Sequence, residues 1–194
     1  MSKLKLGLLI GSTRKGRFAD LPANWIGTQA EKTGAFDVEV IDLADFSLPF
    51  FGDPAASPAQ TQAADAFAAK VAACDAYVFT VAEYNHSLTG VLKNALDHAS
   101  WTRRPAGSVA YGGVGGARAV MHLRQIAVEL EMVSVKAAVH ISYGDYLALR
   151  EGRTGFEALP HLGTAAERML GQLAWWGRVL RSARQEERSV EAVA

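Results

Sequence analysis

The chain contains one cysteine, Cys74, among its 194 residues. That excludes an internal disulfide and a cysteine-based zinc site. The surrounding stretch, KVAACDAYVF, is apolar, so Cys74 reads as a buried core thiol rather than a nucleophile. Charge of either sign is not in excess: Lys+Arg and Asp+Glu number 20 each, for a formal net charge of zero. A general nucleic-acid or membrane-surface binder is normally basic, so neither is expected. Near-neutrality also weakens self-repulsion and permits self-association. No apolar run approaches the ~20 residues that cross a bilayer. The opening MSKLKLGLLIGS is too short for a secretory signal, and a cytoplasmic protein is expected. Repeats and low-complexity tracts are missing. So is a G-x-S-x-G elbow, which argues against a serine hydrolase. His98, His122, His140 and His161 show no metal-ligand spacing, so no metal site is expected.

The composition, 49% apolar and 21% charged, is that of an ordinary globular chain. Its length suits a single domain with a full core. Apolar runs alternate with helical periodicity. Strands are predicted over Lys3–Ile10, Phe36–Leu43, Asp75–Val81, Gly107–Gly113 and Val133–Ile141. Helices are predicted over Phe18–Lys32, Ala59–Ala73, Leu88–His98, Gly116–Glu131 and Leu159–Glu187, the last kinked or interrupted at Gly171 or Gly177. Ala44–Pro58 and Tyr143–Pro160 read as long irregular segments. Five strand–helix repeats predict an α/β fold with a doubly wound, five-stranded parallel sheet in the order 2-1-3-4-5.

The segment LLIGSTRKGRFAD closes the first strand. Gly11 and Gly16 have the spacing of a nucleotide P-loop, but Arg17 and Phe18 stand where its lysine and hydroxyl belong. Thr13 stands where a dinucleotide fingerprint needs its second glycine. A strand, Gly-Ser-Thr-Arg and a helix start remain. Backbone N–H groups at the helix start, the Ser12 and Thr13 hydroxyls, and the forks of Arg14 and Arg17 suit one terminal phosphomonoester. A capped helix with solvated arginines is the plainer alternative. The third strand ends in VAEYNHSLTG and the fourth in YGGVGGAR. All three loops fall on one sheet edge. A phosphate at the first and a planar ring between the others describe a mononucleotide flavin.

GSTRKGRF, DLADFSLPFF, EYNHSLTGVLKNALDHAS and GGVGGAR together resemble the NADPH-dependent FMN reductases, a flavodoxin-like family that includes quinone, azo-dye and chromate reductases. The resemblance runs in order to about Arg118. It implies that Ser12, Arg14 and Arg17 hold the FMN phosphate and that Glu83, Tyr84 and Asn85 contact the ribityl chain and ring edge. Phe18 and Ala82 are counted with them as cofactor-binding residues. Gly112, Gly113 and Gly115 would lie beside the pyrimidine end, where backbone amides and the next helix N-terminus would stabilise reduced flavin. Two positions depart from the family pattern: Ala82 replaces a common proline, and His86 a common glycine. His86 is the one side chain considered for proton delivery.

The activity so implied is ping-pong hydride transfer from NADPH or NADH through bound FMN to a flavin, quinone or similar small oxidant. An electron carrier or a non-catalytic FMN-binding module is the alternative, though a carrier ordinarily needs a charged docking face. A homodimer or dimer of dimers is expected, with Trp101 and Phe46, Phe50 and Phe51 at the interface and covering the site. Arg103–Arg104 and Arg150–Arg153 are the segments considered for a dinucleotide 2′-phosphate.

Overall fold

The computed structural model describes residues 2–191. The chain runs β1 (Leu4–Ile10), α1 (Asp20–Lys32), β2 (Phe36–Asp42), α2 (Pro58–Ala72), β3 (Ala76–Ala82), α3 (Gly90–Asp97), β4 (Pro105–Tyr111), α4 (Ala117–Glu129), β5 (Val133–Ser134), β6 (Val139–Ile141), α5 (Tyr143–Arg150) and α6 (Pro160–Glu191). The strands form one sheet, ordered β2-β1-β3-β4-β5, with β6 also on β4. Every strand pair is parallel. This is the expected flavodoxin-like order.

Burial on both faces explains the unbroken apolar strands. β3, AYVFTVA, is buried at all seven positions. Leu4, Leu6, Leu8 and Val78 face α1 and α6, where Ile26, Met169 and Leu173 meet them. Leu9, Phe79 and Val81 face the opposite way, toward Phe67 of α2, Leu92 of α3 and Leu123 of α4. α2 begins at a reciprocal capping box between Ser57 and Gln60. Cys74 is buried as expected, and burial pushes its thiol up to about 11. Among the described residues no helix is long and apolar enough to cross a membrane.

Four expectations are corrected. The fifth strand is two pieces: the chain advances five residues, Ser134 to Val139, while β4 advances three, Ala106 to Val109. Within that excursion the N–H of Ala137 donates to Gln172 Oε1 of α6, 2.9 Å away, instead of to β4. Second, the stretch after β6 is not irregular, because Ser142 caps α5 by accepting from the Asp145 N–H.

Third, α6 is continuous through Gly171 and Gly177. Gly177 serves close packing: a Cβ there would lie 2.7 Å from Leu4 Cδ1. Fourth, Trp101 belongs to the interior. It is 1% exposed, packs edge-on against Tyr77 and donates its indole N–H to Leu96 O at 2.8 Å. It contributes to no surface that a second copy could touch.

Candidate functional site

The parallel strands all end at one edge, so the loops after β1, β3 and β4 converge there. Gly11 locks the first loop in place. Its N–H donates to Thr80 Oγ1 on β3 at 3.1 Å, and its carbonyl accepts from Thr89 Oγ1 at 2.6 Å. Thr89 also caps α3 by accepting from the Leu92 N–H. A Cβ on residue 11 would lie 2.4 Å from the Thr80 carbonyl oxygen, so only glycine fits.

Within the loop, Ser12 is buried. Arg17 donates from Nη1 to Ser12 O at 2.5 Å and to Asp42 Oδ1 at 2.7 Å, and from Nη2 to Asp42 Oδ2. Its Nε donates to Asp20 Oδ1 at 2.9 Å. The hydrogen bond to Asp42 outweighs burial and raises the Arg17 pKa. Burial pushes the Asp42 carboxyl upward, but Arg17 and the Ala44 N–H overcome it and hold the group below the usual range. Arg17, expected to grip a phosphate, thus spends its fork on β2 and braces the loop. Arg14 has no ion pair among the described residues. Phe18 is buried, edge-on to Tyr111 at 4.9 Å and to Tyr146 at 4.7 Å between ring centroids.

The second loop extends the ladder, with the Glu83 N–H donating to Tyr111 O at 2.9 Å. The Glu83 carboxylate, 2% exposed, turns to α4. It accepts from the N–H groups of Arg118 and Ala119 at 3.1 and 3.4 Å and from Arg118 Nε at 2.6 Å. Burial would raise its pKa, but Arg118 and the two amides hold it low. The α4 N-terminus, expected to face the flavin, is therefore already neutralised by a carboxylate. Tyr84 and Ser87 exchange both backbone hydrogen bonds around Asn85 and His86, at φ +47° and +77°. That is the two-residue turn with two left-handed positions, which favours Asn-Gly.

His86 is not at the mouth of the site. It lines a shallow hollow with Arg118 and Met121, its ring centroid 5.9 Å from that of His122. Among the described residues no three His, Cys, Asp or Glu side chains cluster as a metal site.

Two hollows open at this edge. The larger, about 690 Å³, runs from Ser12, Thr13 and Arg14 past the segment after β2 to Gly90 and Asn94 of α3. The smaller, about 170 Å³, is walled by Phe18, Ala82, Glu83, Gly112 and Gly113. Arg14 and Tyr84 line both, so the two form one trough. Ser12, Arg14, Arg17, Phe18, Ala82, Glu83, Tyr84, Gly112 and Gly113 are thereby brought together; Asn85 and Gly115 line neither hollow.

The sequence reading missed Tyr143 and Tyr146 of α5 as lining residues. The Ser-x-x-Asp signal at Ser142–Asp145 marks the start of that helix. Arg150 lines the smaller hollow, whereas Arg103 and Arg104 lie elsewhere: Arg103 pairs with Glu187, and buried Arg104 donates to the carbonyls of Cys74 and Ala72. Near the larger hollow, Asn94 pins the Pro49–Phe51 strap by bonding Pro49 O and the Phe51 N–H. Phe50 and Phe51 remain 82% and 64% exposed, while Phe46 packs against Phe67.

A phosphomonoester and a flat ring fit this trough. The anion-binding loop lies on one side, glycine backbone on another, and Leu43, Phe46 and Leu48 supply an apolar wall. Residues 4–145 match the model of the NADPH-dependent FMN reductases, and the chain belongs to that family. It is an oxidoreductase that works with FMN and NAD(P)H.

An NAD(P)H:quinone oxidoreductase of Solanum tuberosum is 37% identical over 66% of this chain and 70% of its own length. An NAD(P)H-dependent FMN reductase of Schizosaccharomyces pombe is 33% identical over 66% and 68%. In fold, the chain is similar to a flavoenzyme NAD(P)H:acceptor oxidoreductase of Paracoccus denitrificans. The TM-score is 0.65 at 19% identity, covering 92% of this chain and 98% of that one.

Proposed function

We propose that the 194 residues act as a single FMN-binding domain that passes two electrons from NAD(P)H to a quinone, a flavin or a similar small oxidant. The observation that carries this reading is the convergence of three loops on one trough, with Arg14 and Tyr84 common to both of its hollows. Quinone reduction is favoured as the oxidant chemistry by the named activity of the potato relative.

Ser12 and Arg14 are the proposed phosphate holders, with the Thr13 hydroxyl beside them. Arg17 holds that loop to β2 through Asp42 and acts as a positioning residue. Ala82, Tyr84, Gly112 and Gly113 frame the ring, largely through backbone, while Asn85 and Gly115 shape the turns behind them. Glu83 keeps the second and third loops in register through α4. When bound, FMN supplies the hydride-accepting and two-electron chemistry. The chain would orient the ring in the trough, whose open side would admit donor and acceptor in turn, as ping-pong kinetics require. His86, outside both hollows, has no proton role in this proposal. A second copy covers the exposed Phe50, Phe51 and Val91 beside the larger hollow, giving a homodimer.

The test is the visible spectrum of the purified protein. A bound flavin that bleaches on anaerobic addition of NADPH, and recovers on addition of quinone, is the expected result. A protein that fails to take up FMN in titration overturns the proposal.

A further inference from the structure

We propose that Arg150 is a phosphate-binding residue that acts across the smaller hollow from Arg14, so that the two guanidiniums receive one phosphomonoester dianion. The inference rests on the FMN and NAD(P)H reading above. Arg14, Arg17, Arg150 and Glu83 all line the smaller hollow. Two of these charges are already matched: Arg17 by Asp42 and Asp20, and Glu83 by Arg118. Arg14 and Arg150 have no carboxylate partner among the described residues. The nearest acid on the same helix, Asp145, is engaged by Ser142 and His161. Arg14 and Arg150 are thus the two lining cations with no acidic partner among the described residues, on a hollow of about 170 Å³.

Arg150 is also held in position. Its Nη1 donates to the Tyr146 hydroxyl, and its Cζ lies 5.8 Å from the centroid of that ring. Tyr146 is parallel to Tyr111 of β4 at 6.2 Å, and Phe18 of the first loop abuts it at 4.7 Å. The phosphate-side loop, the sheet edge and α5 thus share one aromatic ledge, and the guanidinium sits at its end. The helix dipole accounts for a cation in the last turn of α5. It does not account for the ledge or for the hollow. The Tyr146 hydroxyl takes one of the five guanidinium N–H donors, and the others remain for phosphate oxygens.

Two phosphates have this chemistry, the 5′-phosphate of FMN and the 2′-phosphate of NADPH. Paired titrations separate them. Wild type, Arg150→Gln, Arg150→Lys and Tyr146→Phe proteins are titrated by fluorescence with FMN and riboflavin, and by calorimetry with 2′,5′-ADP and 5′-AMP. Arg150→Gln should lose about tenfold in affinity for FMN with riboflavin unchanged, or for 2′,5′-ADP with 5′-AMP unchanged, since a charged hydrogen bond is worth this much. The first result assigns the cofactor phosphate to the Arg14 and Arg150 pair; the second assigns Arg150 alone to the dinucleotide phosphate and overturns its pairing with Arg14. Arg150→Lys should retain most of the discrimination. Tyr146→Phe, which keeps the charge, should lose less than Arg150→Gln. Equal weakening of both members of each pair marks a structural role and overturns the proposal, as does no change in either pair. If wild type binds no FMN, the functional reading falls and the 2′,5′-ADP arm still decides the role of Arg150.

Discussion

Arg17 holds both carboxylate oxygens of Asp42, residues 25 positions apart that join the first loop to the end of β2. The pair is mostly shielded, with side-chain exposures of 11% and 19%. Arg17→Met should therefore destabilise the protein by about 2 kcal/mol in urea unfolding, since it leaves a carboxylate desolvated and unpaired. The pH dependence has a definite sign. The Asp42 pKa is lowered by folding, so its stabilisation is present above the unfolded carboxyl value and is lost as pH falls through the folded one. Asp42→Asn should be less stable at neutral pH and lose less on acidification below about pH 4. Unfolding curves for both proteins that run parallel across that range would remove the pair from the acid limb.

Arg14 presents the opposite case. It is exposed and has no ion pair among the described residues, so the fold does not depend on its charge. Arg14→Ala should leave stability within about 0.5 kcal/mol of wild type. FMN affinity should fall by roughly ten- to a hundredfold, the loss of one or two charged hydrogen bonds. Unchanged affinity in a fluorescence titration removes Arg14 from the phosphate site.

Gly11 admits no side chain, because the Thr80 carbonyl occupies the space. Gly11→Ala should lower stability by about 3 kcal/mol through overpacking and should displace the first loop. Both the urea midpoint and flavin retention would fall. A variant that keeps its stability would show that β1 and β3 can part at this point without penalty.

His86 occupies a left-handed turn position that suits glycine. His86→Gly should raise stability by about 1 kcal/mol, the strain relieved less the added freedom of the unfolded chain. The pH profile of quinone reduction should be unaltered, because the ring lies outside both hollows. A lost ionisation in that profile would restore a proton role to His86.

The first loop and the E-Y-N segment were legible as walls of one trough because each follows directly on a buried strand. The partner of Arg17 was not, since Asp42 reaches it only once β1 and β2 pair. The Glu83 carboxylate is likewise committed by α4, more than 30 positions on, at Arg118. The break between β5 and β6 depends on Gln172 of α6 accepting from Ala137, which no local pattern encodes. α5 had a visible start at Ser142, but Gly144 and the polar run after Arg150 disguised a helix as a loop. Trp101 showed that an aromatic next to a surface helix is as readily drawn inward, here by Tyr77 and Phe79.

The last helix has a consequence in time. α6 covers Leu4, Leu6 and Leu8 with Met169 and Leu173, and its Arg181 donates to the carbonyls of Ser2 and Lys3. The part of this face that α1 leaves bare therefore waits for α6. During synthesis one side of the sheet stays half-covered while the other, already supplied with α2, α3 and α4, can close. Emergence of α6 becomes the event that closes this side of the sheet, and a nascent chain stalled before Met169 presents the uncovered part of it to its neighbours.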